Sequence, residues 1–231
     1  MSDHAHLVTP TPEGFTTHEV AHHFDSAEQE FQSGKLGFWL FLATEIMLFG
    51  GLFAAYILYH DIYPETFRAG GAALDWKLGA LNTVLLLTSS WTMAMGVRSA
   101  QLSQKQAMLG YLTVTWLCAA GFMVVKYIEY SGKFAGGVFP GSYFAPHGDH
   151  YGHMFDGLAF PNLYFSLYFT MTGIHGVHVL VGMIFIGWLI KRGAKGHFHS
   201  GYYMPVDLVG LYWHIVDLIW IFLFPLFYLI H

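Results

Sequence analysis

Five apolar stretches, each long enough to cross a lipid bilayer as a helix, constrain this chain more than any other feature of its sequence. A hydrocarbon core of about 30 Å takes about 20 helical residues to cross. Because that core contains no water to hydrogen-bond with the backbone, the backbone N–H and C=O groups of a stretch that crosses it must hydrogen-bond to one another, as they do in a helix. The predicted helices cover residues 36–59, 78–97, 107–125, 162–190 and 208–230. The sequence therefore predicts an all-α protein, an integral membrane bundle of five transmembrane helices.

The composition supports this fold class and excludes several others. The 231 residues are 55% hydrophobic and 11% charged, too few ionic groups to cover a globule of this size in water. The net charge of −5 gives no indication of a nucleic-acid surface. The single cysteine, Cys118, excludes an internal disulfide. We predict one transmembrane domain over residues 36–231, preceded by a polar segment over residues 1–35 that matches neither a signal nor a transit peptide.

Charged residues in the loops predict the orientation of the helices. The loops after the second and fourth helices are mainly basic and contain Arg98, Lys105, Lys191, Arg192 and Lys195. The opposite loops mix the two signs and contain Asp61, Glu65, Arg68, Asp75, Lys77, Lys126, Glu129, Lys133, Asp149 and Asp156. Because cytoplasmic loops carry an excess of Lys and Arg, this pattern predicts a cytoplasmic N-terminus and a C-terminus outside.

The longest predicted loop, residues 132–161, is rich in glycine, proline and aromatic residues. It is too apolar to be a free linker. It could fold back on the chain's own helices or pack against a partner subunit, and the sequence leaves both interpretations open.

Glu45 lies in the middle of the first apolar stretch. An ionised carboxylate at that depth costs roughly 2.5–3.5 kcal/mol on insertion scales. We therefore expect Glu45 to be protonated or paired with a polar group on another helix. A functional role is the default for such a residue, and a structural hydrogen bond between helices is the alternative.

Two further pairs of polar residues lie at membrane depth. His175 and His178 are three residues apart in the fourth helix, so both imidazoles fall on one face. His214 and Asp217 repeat this spacing in the fifth helix. The second pair can bond along its own helix, or each member can reach another helix.

Histidines in membrane helices can also bind a cofactor. Haem ligation and a zinc or copper site are therefore alternatives to a hydrogen-bond network. A b-type haem needs one axial histidine from each of two helices. These histidines and carboxylates are suitable ligand types for zinc or copper, but their spacing along the sequence matches no specific metal-binding motif. We favour a hydrogen-bond network with no catalytic residue and no metal ligand, formed by Glu45, His175, His178, His214 and Asp217.

Other polar clusters lie outside the apolar stretches. Lys191, Arg192 and Lys195 follow the fourth helix, where basic side chains meet anionic lipid head groups; ordinary topogenic charge explains them equally well. Two histidine clusters could bind metal at a surface, although solvated polar residues are the simpler interpretation. Their members are His4, His6, His18, His22, His23, His147, Asp149, His150 and His153.

Five stretches, one in or next to each predicted helix, resemble cytochrome c oxidase subunit III. They run through Phe38–Phe49, Asn82–Ser90, Tyr127–Tyr130, Tyr168–Val179 and Tyr212–Trp220. They come in the order of the family, and the resemblance covers most of residues 36–231. The fourth and fifth stretches are the specific ones.

The resemblance implies a subunit with no haem or copper of its own. It would lie beside catalytic subunit I, which holds haem and copper, and associate with subunit II and other small membrane subunits. The complex would be a cytochrome c oxidase that reduces oxygen to water and translocates protons in aerobic respiratory electron transport. This subunit would stabilise subunit I and support proton uptake.

The resemblance also assigns roles to particular residues. The family's buried, carbodiimide-reactive carboxylate maps onto Glu45. Its two helix histidines map onto His175 and His178, one of which would be the partner of Glu45. The basic residues that hold phospholipid head groups correspond to Lys191, Arg192 and Lys195, which makes structural phospholipid an expected component.

The chain departs from the seven-helix mitochondrial form because it lacks the first two helices. The five-helix form implies a bacterial cytoplasmic (inner) membrane, with this chain as a multi-pass component. Quinol oxidases have a similar subunit that often carries Asp at the position of Glu45, so the Glu favours a cytochrome c oxidase. The alternatives are the matching subunit of a quinol oxidase or nitric oxide reductase relative and, in another class, a stand-alone haem or metal membrane enzyme.

Overall fold

The computed structural model describes residues 11–16 and 24–230, except for the side chains of Ala27, Ser142, Asp149 and His150. These residues form seven α-helices and one 3-10 turn at Gly141–Tyr143. The helices are α1 Ala27–Ile62, α2 Pro64–Ala72, α3 Trp76–Gln101, α4 Lys105–Ala135, α5 Gly148–Tyr151, α6 Asn162–Ala194 and α7 Met204–Tyr228. Apart from one isolated bridge between His199 and Tyr202, this part of the chain contains no β pairing.

Five helices, α1, α3, α4, α6 and α7, are long and apolar enough to cross a membrane. The prediction of an all-α chain with five transmembrane helices is therefore confirmed. The observed helices extend beyond several of the predicted apolar stretches, because backbone bonding continues where the side chains become polar. The largest difference is in α4, which continues to Ala135 rather than ending near residue 125.

The described residues group into two compact units, each with segments from all five long helices. The first unit comprises residues up to Glu45, Thr88–Cys118 and Val181–Ile215. Its core includes Met93, Leu112 and Trp213, all completely buried.

In the first unit the short segment 11–16 packs on the turn between α6 and α7. The Thr16 amide donates to the Gly196 carbonyl at 3.0 Å, and the Thr16 hydroxyl lies 2.6 Å from His197 Nδ1. Gly196 has a φ of +79°, and a Cβ there would lie 2.9 Å from the Gly14 carbonyl oxygen. This turn therefore requires glycine both for its backbone conformation and for the approach of the segment.

The second unit comprises Ile46–Leu87, Ala119–Leu180 and the residues from Val216 onward. Its core is strongly aromatic: the ring centroid of Tyr56 lies 5.0 Å from that of Phe67 and 5.1 Å from that of Phe227. Tyr164 packs on both phenylalanines and donates to the Phe227 carbonyl at 2.9 Å. These contacts join α1, α2, α6 and α7 within the unit.

The long loop before α6 belongs to the second unit and folds back on it. Val138 and Phe155 are buried, and Phe155 packs on Phe165 of α6 with ring centroids 5.7 Å apart. Thr66 of α2 donates to the Ala159 carbonyl at 2.7 Å. The structure therefore supports the first of the two interpretations of this loop, packing on the chain's own helices.

Candidate functional site

The five residues predicted to form a buried polar network are divided between the two units. Glu45 and His214 lie in the first unit, and His175, His178 and Asp217 lie in the second. His175 and Asp217 are almost completely buried, and the other three are partly buried.

Glu45 lies on the side of α1 that faces α7 in the first unit. Phe41, one turn earlier, stacks on Tyr212 of α7 with ring centroids 6.3 Å apart. Because residues four apart share a helix face, Glu45 is directed toward the same helix. The Glu45 side chain is accordingly only partly exposed.

His178 has a defined tautomer. Its Nδ1 lies 2.8 Å from the Ile174 carbonyl one turn earlier, and a carbonyl only accepts hydrogen bonds. The proton of the neutral imidazole therefore lies on Nδ1, which leaves Nε2 as an acceptor. Phe49 packs edge-on against the ring at 5.4 Å between centroids, four residues after Glu45 on α1. His178 can thus accept a hydrogen bond from a protonated group without becoming charged.

His175 lies between aromatic rings. Trp220 of α7 stacks on it at 5.3 Å, and Phe122 of α4 packs edge-on at 5.5 Å. Neither ring nitrogen of His175 has a hydrogen-bond partner within the described ranges, and the same holds for the side-chain amide of buried Asn82. The Trp220 indole donates to Thr83 of α3 at 3.1 Å. His175 is therefore a packed residue of the α4–α6–α7 contact.

His214 pairs with α3. Its Nδ1 lies 2.8 Å from the Ser90 hydroxyl, and the neighbouring Trp213 donates its indole N–H to Ser89 at 3.0 Å. Of the two possibilities that the sequence left open, the structure gives His214 the partner on another helix. Two adjacent serines of α3 thereby satisfy two adjacent polar groups of α7 in the first unit.

A cluster that the sequence analysis missed lies at the C-terminal end of α4. Lys126, Glu129 and Lys133 were assigned to a loop, but all three belong to this helix and are buried, with side-chain exposures of 7%, 2% and 4%. Their spacing of three and then four residues brings the charges onto one face. Lys126 Nζ lies 2.9 Å and Lys133 Nζ 3.4 Å from the Glu129 carboxylate.

Two tyrosines complete the bonding of this cluster. Lys126 donates to the Tyr168 hydroxyl at 3.0 Å and to the Tyr228 hydroxyl at 3.2 Å, so its three N–H groups, including the one directed to Glu129, all have acceptors. Tyr228 donates to Glu129 at 2.6 Å. The buried ions are therefore held together by α4, α6 and α7.

Aromatic faces surround the Lys126 ammonium. Its nitrogen lies 5.0 Å from the ring centroid of Tyr168, 5.1 Å from Trp220, 5.3 Å from Tyr130 and 5.8 Å from Tyr228. Each ring attracts the cation through its quadrupole. We call Lys126, Glu129, Lys133 and their aromatic and hydroxyl partners the α4 ion cluster. The sequence signal that could have revealed it is the helical spacing of three charged residues next to an apolar stretch.

The predicted lipid residues lie at and after the C-terminal end of α6. Lys191 and Lys195 are exposed, and the Arg192 guanidinium lies 5.2 Å from the Trp188 ring centroid. Positive charge there also complements the helix dipole. Their binding of head groups remains a prediction.

A metal site needs several His, Cys, Asp or Glu side chains close together. In residues 11–16 and 24–230, no group of three or more His, Cys, Asp and Glu side chains lies close enough together to hold a metal ion. His4, His6, His18, His22 and His23 lie outside those ranges. His214 and the α4 ion cluster have hydrogen-bond partners on other helices, whereas the network of all five predicted residues remains a prediction.

Comparison with known proteins gives consistent matches along the chain. The profile of the family described as Cytochrome c oxidase subunit III matches residues 17–163 and 161–231. Cytochrome c oxidase subunit 3 of Bacillus sp. (strain PS3) is 31% identical over 206 residues, 88% of this chain and 89% of the relative. The corresponding subunit of Thermostichus vulcanus is 30% identical over 208 residues, 89% and 92% of the two chains. Cytochrome bo(3) ubiquinol oxidase subunit 3 of Pseudomonas aeruginosa is 28% identical over 217 residues, 92% of each.

Proposed function

Because the chain belongs to the cytochrome c oxidase subunit III family, we propose that it is the non-catalytic third subunit of a proton-pumping haem-copper cytochrome c oxidase. The observation that carries this proposal is the family match, which extends through all five long helices. The location that we propose is the cytoplasmic membrane of a bacterium.

The polar groups at membrane depth support a structural role for this chain. The α4 ion cluster and the pairs His214–Ser90 and Trp213–Ser89 direct their donors and acceptors to one another. Such bonds fix the relative position of helices. In this proposal, haem and copper belong to catalytic subunit I, and the chain also adjoins subunit II and other small membrane subunits.

The surface of α1 suits contact with subunit I. Only 17% of its most apolar stretch is buried within the chain, compared with 50% for α7. Exposed apolar side chains on α1 include Trp39, Leu40, Ile46 and Met47. In a membrane such a surface packs against lipid or against another subunit.

Glu45 and His178 are proposed to connect this chain to proton uptake. An isolated carboxylate at membrane depth is costly, which is why Glu45 is the residue we propose for this role. His178 Nε2 is an acceptor of the kind that a protonated carboxyl group requires. We propose that Glu45 supports proton uptake by the complex, and that Lys191, Arg192 and Lys195 bind phospholipid head groups.

A quinol oxidase is the second candidate, because the Pseudomonas aeruginosa relative is a subunit of a ubiquinol oxidase and matches as much of the chain. The two candidates share every structural argument above. They differ in the electron donor of the complex, which is oxidised at another subunit.

Purification of the tagged chain in mild detergent tests the proposal. The expected result is co-elution with a protein that gives a haem a spectrum, together with oxidation of reduced cytochrome c by the complex. Oxidation of quinol but not of cytochrome c would indicate that the chain is a subunit of a quinol oxidase. A haem Soret band, or stoichiometric zinc or copper, in the isolated polypeptide would contradict a subunit role.

A further inference from the structure

The charges of the α4 ion cluster do not balance. Two ammonium groups, those of Lys126 and Lys133, share the single carboxylate of Glu129. Two positive charges and one negative charge give the ionised cluster a net charge of +1. Because a buried charge without a counter-charge is costly, an anion next to the cluster would stabilise it.

The excess positive charge lies at Lys133. All three N–H groups of Lys126 have acceptors, whereas Lys133 has one longer contact, at 3.4 Å from a Glu129 oxygen. The Lys133 nitrogen also lies 5.1 Å from the ring centroid of Tyr168. Among residues 11–16 and 24–230, no further hydrogen-bond acceptor meets this ammonium group. An ammonium group has three donors, so Lys133 can donate two more hydrogen bonds to a ligand.

A pocket of about 460 Å³ in the second unit gives a ligand access to Lys133. It lies between the turn from α2 to α3 and the C-terminal part of α4, and Tyr151 from the loop before α6 also lines it. Asp75 and Gly132 are its exposed lining residues on α3's side and on α4. A water molecule occupies about 30 Å³, so the pocket has room for a small ion with part of its hydration shell.

The two carboxylates that line the pocket are already engaged. Glu129 accepts from Lys126, Lys133 and Tyr228. Asp75 is exposed, and one of its oxygens accepts from the Lys77 amide at 2.9 Å, at the start of α3. Within the described part of the chain, Asp75 forms no ion pair with Lys133. The group in this pocket with unused bonding capacity and an uncompensated charge is therefore a cation.

We propose that this pocket binds a small monovalent anion, a carboxylate or an ion of similar size, against the Lys133 ammonium. The anion can be a free ion from the aqueous phase or the carboxylate of an Asp or Glu side chain from a neighbouring subunit. The second source rests on the proposed role of the chain as a subunit, whereas the first does not. In either case the anion brings the net charge of the cluster to zero.

The test for a free anion uses the whole purified complex. Its thermal midpoint is measured while formate replaces a bulky sulfonate at constant ionic strength. The midpoint should rise with formate, because a ligand that binds the folded state stabilises it. Lys133→Met should abolish the rise and should still fold, since it leaves Lys126 and Glu129 as a balanced pair. Lys77→Met, at an exposed lysine near the same turn, is the control and should retain the rise.

The test for a partner's carboxylate uses a water-soluble carbodiimide on the same complex. The reagent joins an amine to an adjacent carboxylate as an amide and takes up the water that is lost. Mass spectrometry should then show a link from Lys133 to an acidic residue of another chain, and the midpoint should not respond to formate.

Three outcomes would overturn the proposal. The first is a midpoint that does not respond to formate, together with no link from Lys133 to another chain. The second is a link from Lys133 to Glu129 alone, again with no response to formate. The third is an equal response to formate in folded Lys133→Met, or in Lys133→Gln if the first variant yields no complex. The haem spectrum of the same sample reports separately on the subunit assignment.

Discussion

The Tyr228 hydroxyl, near the end of α7, donates a 2.6 Å hydrogen bond to the Glu129 carboxylate of α4, 99 residues earlier in the chain. The same hydroxyl accepts from Lys126. The Tyr228 hydroxyl is thus hydrogen-bonded to both the anion and one cation of the α4 ion cluster.

Tyr228→Phe is expected to destabilise the chain by about 1–3 kcal/mol, because it leaves a buried carboxylate oxygen and an ammonium N–H each short of one partner. The thermal midpoint of the purified complex measures this. Tyr143→Phe, at a tyrosine that is 74% exposed, is the control and should leave the midpoint unchanged. Equal midpoints for the two variants would show that the cluster does not depend on this hydroxyl.

Glu129→Leu is expected to be more damaging than Tyr228→Phe. It leaves two buried ammonium groups without their counter-ion, and breaking a buried pair in this way costs about 3–5 kcal/mol. The matched control is Glu65→Leu, since Glu65 forms a pair with Arg68 at 3.2 Å, also three residues apart but exposed. Exposed pairs contribute about 0–1 kcal/mol. Unfolding of both variants in denaturant gives the comparison, and similar losses would contradict a buried cluster.

Ser90→Ala and His214→Leu test the bond between α3 and α7. Each should cost about 1 kcal/mol, and the double variant should cost less than the sum, because both remove the same hydrogen bond. The yield and thermal midpoint of the complex are the measurements. Strict additivity would mean that the 2.8 Å contact contributes nothing to stability.

Glu45→Gln keeps the shape of the side chain and removes its ionisable proton. Assembly of the complex is expected to survive, while carbodiimide labelling of α1 disappears. Glu65→Gln, at an exposed carboxylate, should leave the α1 labelling intact. Normal α1 labelling in Glu45→Gln would locate the reactive carboxylate elsewhere.

The attachment of segment 11–16 is expected to depend on pH. Burial, followed by the charges of Arg192 and Lys195, lowers the pKa of His197, whose ring contacts Thr16. A lowered pKa means that the folded state prefers the neutral imidazole. The stabilisation is therefore fully present above the usual value of about 6.5 and is lost as the pH falls through the lower folded pKa. Proteolysis within the segment should accelerate on acidification, and His197→Gln should abolish that dependence.

Hydropathy predicted the five spans because each consists of enough apolar residues to show in the sequence alone. It misjudged the end of α4 because it scores Lys126, Glu129 and Lys133 one at a time. Their neutralisation depends on Tyr168 and Tyr228, which only the packing of α6 and α7 brings near. The partner of His214 was undetermined for the same reason: spacing gives the face of a helix, but not which neighbour that face meets.

The α4 ion cluster also has a consequence for biogenesis. The ribosome completes α4 long before it adds Tyr228, so during synthesis the two ion pairs within α4 lack the tyrosine hydroxyls that later complete their bonding. The C-terminal end of α4 should therefore reach its final packing only after α7 has been inserted. A nascent chain arrested before α7 would therefore hold three charged residues whose bonding is incomplete.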